Sequence, residues 1–345
     1  MTDTEVAEPA SRPFLPALDG LRGIATMLVM LTHLPDQAFP DWFDRLSRGI
    51  AYGALDCFFV LSGFLITRIL LAERAAGRPL GRFFIRRFLR LIPAFWILVA
   101  AVHLWEPSLS SLWAVLYVIN YTLPFHVVAH PLGHTWSLAV EEQFYLTWPW
   151  VVRGLTTERS WWVLTRLVLP GSISAALVTL LFTGILPVKA IIYMGTPYRA
   201  LSLGLGAAMA YREVVVRSEH GVPWQRAALA GSVVVGVLGA FAGPFRPAFS
   251  MVAYSLLSSG ILLTLLVPRF RRAQAFVDLA PFRYAGKISY GLYLYHLPIY
   301  FALGFREGWV GRPKMVFAVM LVFAAASLSY FLVEEPILRL KRYFR

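Results

Sequence analysis

The sequence predicts an all-α fold: a polytopic membrane protein of about ten transmembrane helices around an intramembrane reaction chamber. Three observations carry this. The 345 residues are 58% hydrophobic and only 15% charged, with a mean hydropathy of +0.63, against about 25% charged residues in a soluble domain. The apolar runs reach the length of about 20 residues that a spanning helix needs, not the shorter alternation of a barrel strand. Charged residues recur inside those runs, where each one needs a protein interior or a water-filled cavity to face.

Residues 1–16 are polar and acidic, with no basic or apolar region of a cleavable signal. They are expected to be a cytoplasmic tail, followed by one transmembrane unit over 17–334 and a basic tail over 335–345. Ten segments are expected to span: 17–36, 50–72, 88–105, 135–153, 160–183, 197–212, 225–243, 249–267, 284–305 and 314–333. The run 109–123 is short and suits a re-entrant or interfacial helix.

With the N-terminus inside, twenty-two Lys and Arg fall on inner segments and seven on outer ones. That bias places both termini in the cytoplasm, and the plasma membrane is the expected location. The net charge of +13 is therefore read as topology and phosphate contact, with the lipid bilayer as partner and no nucleic acid. The single cysteine, Cys57, excludes an intrachain disulfide framework. His126, His130 and His134 follow one another at four-residue spacing, but prolines break the segment and no carboxylate or cysteine joins them, so no metal is expected.

The first segment, Leu18–His33, reads LDGLRGIATMLVMLTH. At 100° per residue Asp19, Arg22, Thr26 and His33 share a face, with Arg22 and His33 about 16 Å apart along the axis. The second, ALDCFFVLSGFLITRIL, carries the acid Asp56 and the pair Ser62–Gly63, which allows close packing or a backbone approach to a ligand. The third opens with Arg82, Arg86 and Arg90 as a stripe and Arg87 beside it. Such a stripe snorkels to lipid phosphates or holds a polyanionic ligand. The fourth, HTWSLAVEEQFYLTWPW, sets Ser137, Glu141 and Tyr145 on one face and turns Glu142 about 100° away. A carboxylate there can orient an imidazole or pair with a buried arginine. Later segments add Arg199 amid small residues, then Tyr290 and His296 in GKISYGLYLYHLPIY.

These residues alone favour a transporter or flippase with a buried charge relay over an enzyme. The motifs together change that order. LDGLRGIA with His33 ten residues beyond Arg22, then FFVLSGFLI, RRFLRLIP, WSLAVEEQFY, ISYGLYLYHLP and EEPILRLKR resemble the acyltransferase-3 family of integral membrane O-acyltransferases, from Leu18 to Arg342. One departure is Ala54-Leu55-Asp56-Cys57, where the family often has Gly-Val-Asp before the paired phenylalanines.

The resemblance implies transfer of an acyl group, acetyl in the first instance, from cytoplasmic acyl-coenzyme A to a hydroxyl of a sugar, glycan or glycosylated small molecule. It places the essential histidine and arginine on His33 and Arg22, the arginine cluster on Arg86, Arg87 and Arg90, and the acidic block on Glu141 and Glu142. Some members carry a fused extracytoplasmic esterase-like domain; this chain is expected to work without one, leaving any second transfer to another protein. The candidate catalytic set is then His33, Arg22, Glu141, Glu142 and Asp56. Acyl-coenzyme A falls to Arg82, Arg86, Arg87, Arg90, Ser62 and Gly63, and the acceptor to Ser137, Tyr145, Trp136, Arg199, Tyr290 and His296.

Overall fold

The computed structural model describes residues 15–35, 41–125, 130–213, 217–305 and 311–340, with the side chains of 41–48, 50 and 51 excepted. The expected tails therefore lie largely outside the described residues, as do His126, Arg12, Arg306, Lys341, Arg342 and Arg345. All regular structure within them is helical, apart from one isolated bridge between Thr183 and Leu186.

The helices are α1 (Pro16–Thr32), α2 (Asp41–Ala75), α3 (Leu80–Trp105), α4 (Leu109–Val115), α5 (Ile119–Thr122) and α6 (Trp136–Gly154). Next come α7 (Thr157–Leu180), α8 (Val188–Met194), α9 (Thr196–Tyr211), α10 (Gly221–Ala240) and α11 (Arg246–Leu266). The last are α12 (Arg271–Val277), α13 (Ala280–Lys287), α14 (Ser289–Ala302) and α15 (Arg312–Arg339). The described residues of the ten expected segments are mostly helical. Among the described residues five helices are long and apolar enough to cross a membrane: Tyr52–Ala75 within α2, then α3, α7, Gly243–Leu266 including α11, and α15. The stretch 109–123 folds as two short helices, α4 and α5, joined through Tyr117 at a positive φ of 53°.

The outer surface is strongly apolar; Leu104 is 84% and Phe241 86% exposed. A water-soluble protein does not expose such a surface on this scale, and hydrocarbon accepts it without cost. Lipid tails are as apolar as leucine, so helix association here rests on close packing. Glycines supply it. At the crossing of α2 and α9, a Cβ on Gly63 would overlap the Leu203 carbonyl, and one on Gly206 would overlap that of Val60. The same device joins α1 to α12 and α13: Gly20 lies on the Val277 carbonyl, Gly23 on that of Phe282, and Gly286 on that of Asp19. Helix α2 is the hub, packing against α1, α6, α9 and α11. Trp148 on α6 fastens to it by donating from Nε1 to Thr67 at 2.8 Å.

Candidate active site

The close approach of α1 to α13 sets the first element of the site. With Gly286 pressed on the backbone of α1, the Arg22 fork reaches its carbonyl from Nε at 3.2 Å and Nη2 at 3.1 Å. Nη2 also meets Asp19 Oδ1 at 2.6 Å. Three hydrogen bonds from this guanidinium thus run to two fixed acceptors, and its charge is held against one carboxylate.

Arg22 stands on the wall of a cavity of about 500 Å³ between α1, α2, α3, α6, α14 and the end of α15. Arg87 and Arg90 of α3 line it, with Lys287 just before α14. On the α6 side Glu141 accepts from Ser62 at 2.6 Å through Oε1 and from Tyr145 at 3.0 Å through Oε2. The Arg87 guanidinium lies 3.7 Å from the centroid of the Tyr145 ring, a close cation–π contact. Ser137, Tyr290 and Tyr293 complete the wall. Tyr290 donates to the Leu91 carbonyl at 2.6 Å, tying α14 to α3.

The cavity thus brings together Arg22, Ser62, Arg87, Arg90, Ser137, Glu141, Tyr145 and Tyr290 among the residues singled out in the sequence. The arginine stripe divides: Arg87 and Arg90 face the cavity, while Arg86 turns to Glu73 at 3.5 Å and Arg82 is not on the wall. Glu142 and Gly63 are not on it either, Gly63 being filled by the backbone of α9.

Asp56 lies away from this wall, wholly buried. It is paired with Arg199 at 3.0 and 3.2 Å and also accepts from Ser202. Arg199 donates from Nε to the Tyr193 carbonyl at 2.6 Å, and its guanidinium lies 4.6 Å from the Tyr193 ring. Trp136 meets that ring at 4.9 Å in a tilted contact.

His33 caps α1 at the far end from Arg22 and does not line the cavity. It is exposed, and its Nδ1 shares a hydrogen with the Val29 carbonyl at 2.9 Å. A carbonyl only accepts, so Nδ1 carries the proton and Nε2 keeps its lone pair. The ring meets His296 at 5.0 Å, and His296 meets His134 at 4.9 Å. Both partners are buried, His296 donating from Nδ1 to Tyr293 O and His134 from Nε2 to Leu294 O. Between this cluster and the cavity stands Tyr293. It donates to the His134 carbonyl at 2.6 Å and accepts from Ser137 at 2.6 Å.

The sequence marks His134 only through a metal spacing and singles out neither Lys287 nor Tyr330. Nothing local marks them. Tyr330 and Glu334 reach the cavity across a π-helical turn spanning both, which shifts the phase of α15. Among the described residues no group of three or more His, Cys, Asp or Glu is placed to hold a metal ion.

The profile of the acyltransferase-3 family, described as an acyltransferase domain, matches residues 15–334. The chain belongs to this acyltransferase family. It is 32% identical over 362 residues to the peptidoglycan O-acetyltransferase OatA of Listeria monocytogenes, covering 95% of this chain and 56% of that protein. To the O-acetyltransferase OatA of Staphylococcus aureus it is 29% identical, covering 94% and 57%. To the putative peptidoglycan O-acetyltransferase YrhL of Bacillus subtilis it is 29% identical, covering 94% and 55%. The chain thus spans little more than half the length of these relatives. No solved structure matches it.

Proposed function

We propose that this protein is a membrane O-acyltransferase that moves an acetyl group from acetyl-coenzyme A to a hydroxyl of a glycan. The observation that carries the reading is the cavity where Arg22, Arg87 and Arg90 converge beside a hydrogen-bonded Glu141, in a chain of the acyltransferase family. The ten helical segments are read as ten spans, with 17–334 as the transmembrane unit, both termini in the cytoplasm and the protein in the plasma membrane. The basic-residue bias supports this. The cavity is then the reaction chamber, and the arginine end faces the cytoplasm, where coenzyme A is found. Peptidoglycan is the glycan that the relatives' names suggest.

Arg87 and Arg90 suit the phosphates of coenzyme A, since guanidinium forks match phosphate oxygens. Arg22, fixed by Gly286 and Asp19, stands where it can steady a developing negative charge. A thioester is already activated, so the remaining tasks are few. A base takes the acceptor's proton as its oxygen attacks the carbonyl carbon; the C–S bond breaks, and the thiolate of coenzyme A leaves and is protonated. His33 is that base, with Nε2 free because Nδ1 is committed to Val29. Glu141 braces the chamber through Ser62 and Tyr145. The rival reading as a transporter rests on the same buried charges, and family membership weighs against it.

The test uses purified protein in nanodiscs, measuring acetyl-coenzyme A binding and thiol release for wild type and His33→Ala. Wild type is expected to bind and slowly release thiol, and the variant to bind without release. Thiol release at the wild-type rate by His33→Ala would remove His33 from the chemistry. No binding of acetyl-coenzyme A by wild type would overturn the donor.

A further inference from the structure

At the His33 end of the bundle, four aromatic rings from four helices follow one another. Tyr254 of α11 lies 6.0 Å from Tyr52 of α2, and Tyr52 lies 4.7 Å from Tyr193 of α8, at right angles to it. Tyr193 meets Trp136, the first residue of α6, at 4.9 Å. Two residues before Trp136 is His134, and from its ring the histidines run through His296 to His33. Tyr52 is 39% exposed, Tyr193 and Tyr254 are half-buried, and Trp136 is buried behind them.

Two features set this row apart from tyrosines that merely mark a bilayer interface. Interface tyrosines sit singly around the outside of a bundle, whereas these converge and touch. The row is also braced from within. Arg199 is 3% exposed and cannot itself reach a ligand, yet it holds the Tyr193 carbonyl, faces the Tyr193 ring and is neutralised by Asp56. A buried ion pair is a costly way to gain stability, and its best-attested use is to fix one arrangement. Here it fixes the orientation of one half-buried ring, Tyr193.

We propose that Tyr52, Tyr193 and Tyr254, backed by Trp136, form the acceptor-sugar platform of the enzyme, with Arg199 and Asp56 as its positioning residues. A pyranose ring has an apolar C–H face that stacks on aromatic rings and hydroxyls that pair with phenols, and the row ends at Trp136, two residues from His134 of the cluster that includes the base. This rests on the O-acyltransferase reading, so the test separates the two.

The probe is N,N′,N″-triacetylchitotriose, titrated onto the full chain in nanodiscs of one fixed lipid composition, without acetyl-coenzyme A. Wild type is expected to bind it. Tyr52→Ala should weaken binding about tenfold, and Tyr52→Trp should restore it. Arg199→Lys, which keeps the charge but loses the planar fork, should weaken it by a similar factor. Acetyl-coenzyme A affinity should stay within about twofold for Tyr52→Ala, because the platform lies at the other end from the arginines. No chitotriose binding by wild type, or equal binding by wild type and Tyr52→Ala, would make the row an interface belt and overturn the platform. Loss of acetyl-coenzyme A-dependent thiol release from wild type would instead overturn the transferase reading, and leaves the binding result to stand by itself.

Discussion

Asp56 and Arg199 show what one buried charge demands of its surroundings. The pair is almost wholly removed from solvent, and the carboxylate takes a further hydrogen bond from Ser202. Removing one partner strands the other, at about 3–5 kcal/mol. Asp56→Asn should therefore lower the thermal midpoint in detergent markedly while leaving residues of the arginine cavity untouched; an unchanged midpoint would show the pair to be dispensable. Arg87 makes the opposite case, since its contact is with a ring face. Arg87→Lys retains the charge but not the planar stack on Tyr145, and acetyl-coenzyme A binding is expected to weaken about tenfold, as read by equilibrium titration. Helical phase and residue type are enough to single out Arg22, Arg87, Arg90, Ser62 and Glu141, which the fold gathers on one wall. Partner choice was not legible. Nothing near Asp56 in the chain points to an arginine 143 residues away, because the pairing is made by the crossing of α2 over α9 and not by spacing.

That crossing depends on glycine at two positions. Gly63→Ala should force α2 and α9 apart, costing about 1–3 kcal/mol by overpacking, and a fall in the monodisperse fraction on size exclusion would report it. Gly81→Ala is the control, since nothing lies within 4 Å of a Cβ there; equal behaviour of the two variants would mean the crossing can relax. Hydrophobic run length locates the long helices, five of which are long and apolar enough to span among the described residues, but not their interruptions. The expected helix 284–305 is broken at Ile288, where Ser289 turns back to bond the Gly286 carbonyl at 2.9 Å. The same carbonyl holds Arg22, so the break coincides with a contact to α1 that run length does not reveal. The π-helical turns at Leu164–Val168 and Tyr330–Glu334 are likewise not revealed by run length.

For the molecule as a whole, the proposed topology makes a direct forecast. In a Cys57→Ser background, a cysteine at Arg78 should react with an impermeant thiol reagent only from the cytoplasmic side, and one at Lys189 only from the other. Reversed labelling would invert the molecule and place the arginine cavity outside. The layout also has two ends with different tasks, arginines at one and histidines at the other, and Tyr293 stands between them, bonded to Ser137 and the His134 backbone. An activated acyl group is perishable, because water competes with every acceptor. With coenzyme A held by its phosphates on the arginines, Tyr293 and its hydrogen bonds stand between the thioester and the imidazole and must give way for transfer, so the loaded protein loses its acyl group to water only slowly between encounters. The lifetime of that waiting state should shorten in Ser137→Ala, seen as faster acetyl-coenzyme A hydrolysis when no acceptor is present. An unaltered rate would mean that the seal lies elsewhere along the wall.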